Sequence, residues 1–484
     1  MKIAAIGIAG LVAACAVTAV TVFSLRQDET PEPAIALDLP AQIAHPDPLR
    51  FEPGRTEEYE RAAAFGLSHV LFEKSPGGAI RAARRTARFR AMVDAATSGT
   101  GIDPDVVEAI VLLESAGRQD VIAGDDPANA AGLTQIVAET ATNFLGMQVD
   151  LEESRRLTRL VGEAVRRGDD AEAASLQAQR REVDARFDPE QALAGTVRYL
   201  TEAKEVFGRD DLAVVSYHMG IGNLSDVVRA YTARQDDPID TVVREADIDY
   251  VHLYFDSSPT VHRVSWELLA SFGDDSQTYY WRVLGALGIM HLLRNDPARL
   301  ERLADLHDRL PSAALVLHPP SAREQYADAT QLRDAVGHGA LVPVRPSNGA
   351  RFTIDPQLLR VLASMTENPA DYLALRPRAA RLLAYLAAKV HELSDEERPL
   401  GLTRAAYDEK AATQLAPHDP GARADADVHS TGFAFDIRRR YGSGAQAAAF
   451  QWTLERLEAL GLIAWTRGRS VIHIVVSPQA DVRS

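Results

Sequence analysis

Asp103-Pro104-Asp105-Val106-Val107-Glu108-Ala109-Ile110-Val111-Leu112-Leu113-Glu114-Ser115-Ala116-Gly117 is the stretch from which the rest of the chain can be read. It opens as a helix start, with a side-chain cap, a proline in the first turn and an acid beside the positive end of the dipole. Val107, Ile110 and Glu114 recur at helical spacing and share one face. Gly117 is a stop signal. A carboxylate therefore closes an otherwise apolar stripe. Loss of hydration there penalises the ionised form and raises the pKa. A general acid working near neutral pH needs that shift. The plainer alternative is a Glu at a helix end that reaches water or caps a nearby loop.

Working outward, a polar loop leads to Gly132-Leu133-Thr134-Gln135-Ile136. Phe187-Asp188-Pro189-Glu190 and Ala194-Gly195-Thr196-Val197-Arg198-Tyr199-Leu200 follow. Then comes Ser216-Tyr217-His218-Met219-Gly220-Ile221-Gly222-Asn223-Leu224. These blocks, in this order after Glu114-Ser115, resemble the lytic transglycosylase family, whose domain has the goose-type lysozyme fold. The resemblance implies a mainly α, lysozyme-like domain that cleaves the MurNAc-GlcNAc bond of peptidoglycan without a cofactor. It implies that Glu114 protonates the leaving oxygen. The same group, now a base, then helps the sugar's own 6-hydroxyl close onto the anomeric carbon, giving a 1,6-anhydro end. Gln135 would line the groove, Tyr199 and Tyr217 would flank Glu114, and Ser115 and His218 would complete the substrate-binding set. Three positions depart from the family pattern: His218 stands for Asn, Thr134 for Met or Trp, and Ala138 for Pro. His218 can still donate one hydrogen bond but adds a titrating group. Buried His218 and core tyrosines are the alternatives.

Near the other end, His429-Ser430-Thr431-Gly432-Phe433-Ala434-Phe435-Asp436 precedes a strand-like Val471-Ile472-His473-Ile474-Val475. In a strand His473 shares a face with Val471 and Val475, so an imidazole projects from an apolar surface. Two His and one Asp with a fourth position open for water make a reasonable catalytic zinc set. The pattern resembles the zinc D-Ala-D-Ala carboxypeptidase family, which acts on peptidoglycan stem peptides. That resemblance implies zinc on His429, Asp436 and His473, and a substrate-binding Arg404. The family's Ser before the first His is Asp427 here, and the Glu expected three residues before the last His is Ser470. Three outcomes stay open: zinc with another base such as Asp427, zinc bound in an inert or stem-peptide-binding site, or no metal.

Composition sets the frame. The chain has 484 residues, 46% of them hydrophobic, enough for two or three domains with sizeable cores. A formal net charge of −16 argues against general nucleic-acid binding. Cys15 is the only cysteine, so no intrachain disulfide can form. Lys2 precedes an uncharged apolar run, Ile3 to Leu25, long enough to cross a bilayer once. The expected arrangement is a single-pass anchor in the cell membrane with the rest outside; a secreted or lipid-anchored form is the alternative. Arg81, Arg84, Arg85, Arg88 and Arg90 make a basic stretch. It reads either as contact with an anionic wall polymer or membrane, or as the solvated face of a packed helix. Residues 148–186 read as a charged helical insertion bordering the groove. The trio Tyr279-Tyr280-Trp281 reads as helix-packing core or as a sugar-stacking surface.

The expected organisation is an anchor or signal over 1–26, a proline-rich spacer over 27–50 and a helical transglycosylase-like domain over 51–310. A linker over 311–350 and a smaller α+β domain with an antiparallel sheet over 351–484 complete it. The expected partners are peptidoglycan glycan strands, stem peptides and the membrane. A lysozyme-like hydrolase on the same fold and a non-catalytic wall-binding scaffold are the rival functions.

Overall fold

The computed structural model describes residues 47–309, 317, 325–347, 349–366, 368–411, 428–480 and 482. The apolar run 3–25 and Asp427 lie outside them. Among the described residues, no helix is long and apolar enough to cross a membrane.

The main helices, numbered in chain order, are α1 (Thr56–Gly66), α2 (Ala79–Ala87), α3 (Pro104–Ser115), α4 (Leu151–Arg167), α5 (Asp170–Val183) and α6 (Pro189–Phe207). They continue with α7 (Asp210–Met219), α8 (Ile221–Thr232), α9 (Tyr279–Asn295), α10 (Pro377–Ser394) and α11 (Gly444–Ala459). The start of α3 is as the sequence predicts: the Asp103 carboxylate accepts from the Asp105 amide at 2.8 Å and Pro104 occupies the first turn. At its end the left-handed turn begins one residue before Gly117, at Ala116 with φ 54°. Gly117 follows at φ 71°, where a Cβ would lie 2.6 Å from the Thr86 amide nitrogen. The turn after α3 therefore rests directly on the backbone of α2, and only glycine allows that approach.

Helices α3 and α9 run antiparallel. Tyr279, at the start of α9, meets Glu114 near the end of α3, while Arg294 at the far end reaches Asp105 and the fully buried Glu108. Arg90 also pairs with Glu108 at 3.2 Å, so this buried acid has two cationic partners. Helices α4 and α5 form a hairpin, with Asp150 and Asp169 capping their starts and Gly168 turning between them. This is the charged helical insertion expected from the sequence.

The C-terminal unit carries a five-stranded sheet of order β2-β4-β5-β7-β6. Its strands are β2 (Phe352–Ile354), β4 (Leu400–Arg404), β5 (Ala434–Arg438), β6 (Ile463–Arg467) and β7 (Val471–Val476). The short strands β1 (Val342–Pro343) and β3 (Ala374–Leu375) pair separately. The sheet is mixed rather than purely antiparallel, because β2 pairs parallel to β4. A three-residue strand leaves too short an alternation to be read from sequence. Within 311–350, a helix over Ala329–Gly337 packs inward through Leu332, which is fully buried together with Leu341.

The helical and α+β units share one continuous apolar core. At their junction Gly66 of α1 abuts α11, where an added Cβ would sit 2.4 Å from the Glu458 carbonyl oxygen. The Trp452 indole donates to Ser257 O at 2.8 Å. The buried Arg456 donates to Tyr254 O at 3.0 Å and lays its guanidinium 3.5 Å from the centre of the Tyr254 ring. Asp47, where the described chain begins, pairs with Lys389 of α10 at 2.7 Å.

Candidate active site and candidate metal centre

Glu114 sits in the last turn of α3, partly accessible as a residue, with its carboxyl beside the stacked Tyr279 and Tyr217 side chains. The Tyr279 hydroxyl donates to its Oε1 at 2.8 Å. Desolvation raises the Glu114 pKa to about 7, against the opposing pull of that hydrogen bond. No charged side chain among the described residues contributes to the shift. Burial and the nearby Glu114 carboxyl hold the Tyr279 and Tyr217 hydroxyls well above the usual phenol range, so both stay protonated donors.

Tyr217 stacks on Tyr279 with ring centres 6.4 Å apart. Its hydroxyl donates to Thr134 O at 2.8 Å and lies 3.1 Å from the Thr196 hydroxyl. That bond ties α7 to the loop bearing Gln135. Gln135 itself has φ 53°, and its amide nitrogen donates to Val121 O and Gly132 O at 3.1 and 2.9 Å. The side chain therefore braces the loop through its nitrogen. Tyr199 stands one ring further out, edge-on to Tyr217 at 5.3 Å, with its hydroxyl donating to Ser216 O at 2.6 Å. It supports Tyr217 and makes no hydrogen bond to Glu114. His218 stacks on Tyr279 at 5.0 Å, and its Nδ1 lies 3.0 Å from the Ser276 hydroxyl. Burial lowers the His218 pKa, with Asp274 and Asp275 opposing. Ser115 stands apart from the expected substrate contacts: it is 1% exposed and its hydroxyl donates to Val111 O of its own helix.

Tyr279 is the residue that sequence reasoning missed. The whole trio is buried in the core, as one of the two readings expected, but Tyr279 is in addition the direct partner of Glu114. Its proximity comes from the antiparallel pairing of α3 with α9, a contact 165 residues apart in sequence. The only signal was its place in an aromatic trio at a helix start.

The loop 120–136 is fixed from behind by the hairpin. Arg186 is fully buried; it donates to Asn129 O at 3.0 Å, Ile136 O at 3.2 Å and Pro127 O at 2.6 Å. Its other face pairs with Asp184 at 2.7 and 2.9 Å, and Ser154 of α4 donates to the same carboxylate at 2.7 Å. Gly132 passes so close that an added Cβ would overlap Arg186 O at 1.8 Å.

In the C-terminal unit, adjacent strands bring His473 of β7 opposite Asp436 of β5. His473 Nδ1 lies 2.8 Å and His429 Nε2 3.0 Å from Asp436 Oδ1. Burial works to raise the Asp436 pKa, but the two imidazoles override it and hold the carboxyl far below the usual range. One ligand atom from each of the three lies within 4.8 Å of the other two. With bonds near 2.1 Å, donors around a tetrahedral zinc sit about 3.4 Å apart, so this set fits such an ion with little movement. Arg404 approaches Asp436 Oδ2 at 3.3 Å. A cleft of about 480 Å³, lined by Arg404, Tyr407, Asp436 and Ser470 among others, opens beside them.

Residues 169–239 match the family model described as Transglycosylase SLT domain. The match runs from the start of α5 past α8, so Glu114 and the Gln135 loop lie upstream of it. It supports a lytic transglycosylase acting on peptidoglycan. No curated protein matches the chain.

Proposed function

We propose that the chain is an envelope-anchored lytic transglycosylase in which Glu114 acts as both acid and base. One observation carries this reading: a single carboxyl, desolvated to a pKa of about 7, whose hydrogen-bond partner is the Tyr279 hydroxyl and whose shift involves no second carboxylate. Glycosidases that add water generally use two carboxylates on opposite sides of the bond. A lone acid suits internal closure by the sugar's own hydroxyl. Protonated Glu114 gives its proton to the leaving oxygen, and the resulting carboxylate receives the 6-hydroxyl proton as the anhydro ring closes. Tyr279 donates to Glu114 in both states and fixes its rotamer. Gln135 offers its amide oxygen to a sugar, since its nitrogen is engaged with backbone.

Mass spectrometry of digested glycan tests the reaction. The expected products are muropeptides lighter by one water than the hydrolysed ones. Products at the hydrolysed mass would establish the lysozyme-like alternative.

For the second unit we propose a zinc site on His429, Asp436 and His473, with Arg404 holding the carboxylate of a stem peptide. Bound zinc would supply a Lewis acid there. Asp436 takes the anionic ligand role, and Arg404 keeps its far oxygen paired. Ser470 offers no base at the position from which the family's Glu acts, which favours binding over hydrolysis. Metal analysis after zinc loading and dialysis is expected to find zinc retained by the wild type and lost in His473→Ala. Equal content in both would reject these ligands.

A further inference from the structure

Phe144 is an exposed aromatic ring that the Glu114 chemistry does not use. It is 48% exposed, while Ala141 and Leu145 near it in the chain are buried. The contrast comes from the backbone. Residues Thr140–Phe144 form a π-helical turn, in which the Leu145 amide donates to Thr140 O at 3.0 Å. Such turns are rare and recur at functional sites. Here the widened turn keeps Ala141 and Leu145 in the core and sends Phe144 outward. Helix α6 holds the end of the turn, since the Arg198 guanidinium donates to Leu145 O.

Phe144 stands at the outer end of a row of rings that leads to the acid. It meets Tyr199 edge-on with ring centres 5.6 Å apart, and Tyr199 meets Tyr217 at 5.3 Å. Tyr217 stacks on Tyr279, whose hydroxyl holds Glu114. Two ring-to-ring steps therefore separate Phe144 from Tyr217. The Tyr217 hydroxyl also donates to Thr134 O, on the same segment that continues through Gln135 to Phe144. Tyr199, the ring expected at the sugar from the sequence, is only 8% exposed. With Phe144 packed against it, the aromatic surface offered to solvent at this point is that of Phe144. Lone exposed apolar side chains are ordinary. This one extends an aromatic row from the candidate acid and sits on a backbone irregularity that turns it outward.

We infer that Phe144 is a platform on which the glycan strand rests a sugar ring beyond the one where Glu114 acts. The inference rests on the reading of Glu114 as the acid of a glycan-cleaving site. Pyranose rings present C–H groups on their faces, and the electron-rich face of a phenyl ring attracts them. The contact is neutral and needs only a flat aromatic surface. Phe144 then adds affinity for strands long enough to reach it, while proton transfer stays with Glu114. A merely structural Phe144 would instead shield Tyr199, and any apolar side chain of similar size would serve as well.

The experiment compares the full chain on long glycan strands and on the shortest fragment that the wild type cuts. In Phe144→Ala, KM on long strands is expected to rise roughly two- to tenfold, with little change in kcat. KM on the short fragment should stay at the wild-type value. Phe144→Trp, which keeps a flat aromatic face, should restore the long-strand KM. Phe144→Leu keeps an apolar cover over Tyr199 but no flat face, so it should behave like the alanine variant. A leucine variant with the wild-type KM would overturn the inference and leave Phe144 as a cover for Tyr199. An alanine variant with unchanged KM on long strands would overturn it too, as would equal losses on both substrates. An oligomer that dissociates in Phe144→Ala, with KM unchanged, would reassign the ring to a protein contact. A wild type that cleaves no glycan would instead remove the reading of Glu114 itself.

Discussion

Glu114→Gln is expected to lower the rate of anhydro-product formation by roughly 10²- to 10⁴-fold, the usual worth of a positioned general acid. Glutamine keeps the shape and can still accept from Tyr279, so only the proton is lost. The wild-type rate should hold at acid pH and fall as pH rises through about 7, where Glu114 ionises and can no longer protonate the leaving oxygen. Tyr279→Phe removes a bond that stabilises the ionised carboxyl, so its profile should move to higher pH. Stability gives an independent readout. A carboxyl whose folded pKa lies above its unfolded value binds more proton when folded, so stability falls as pH rises between about 4.5 and 7. Glu114→Gln escapes that loss and should melt above the wild type at pH 8, with the gap closing below pH ~5. A variant that digests peptidoglycan at the wild-type rate would end the enzyme reading and leave the scaffold alternative.

Arg186→Ala is expected to be the most damaging substitution outside the acid itself. It strands the fully buried Asp184, leaves the carbonyls of Pro127 and Asn129 without their donor, and leaves Ile136 O with the Ala131 amide alone. Breaking a buried pair in this way costs about 3–5 kcal/mol. Lysine cannot replace it, because one ammonium cannot serve a carboxylate and three separated carbonyls at once. The loss should show as faster amide exchange over residues 120–136 and a lower melting temperature. Activity should fall with them, since Gln135 rides on that loop. Unchanged exchange in the loop would show that the hairpin does not hold it.

The sequence exposed the parts of this molecule that depend on local pattern. The start of α3 was legible from Asp103 and Pro104, and the end from Gly117, because caps and turns are written in adjacent residues. The His429 to Asp436 spacing and the strand bearing His473 were legible for the same reason, and the structure brings the three side chains together. What local pattern does not carry is which helices lie side by side. Tyr279 reaches Glu114 only through the antiparallel packing of α9 on α3. Arg186 was invisible as a brace because the loop groups it holds are backbone carbonyls, which every residue possesses. Tyr199 and Ser115 were expected at the substrate, whereas their hydroxyls are engaged with Ser216 O and Val111 O.

The junction at Arg456 bears on how such a chain can be taken apart. A fragment ending before the α+β unit would expose Tyr254, the Gly66 face of α1 and the rest of a severed core to water. Recombination that swaps one half for a foreign counterpart must bring α11 along or rebuild that surface. A designer seeking the helical portion by itself should therefore graft residues 444–459 onto it before trimming anything else.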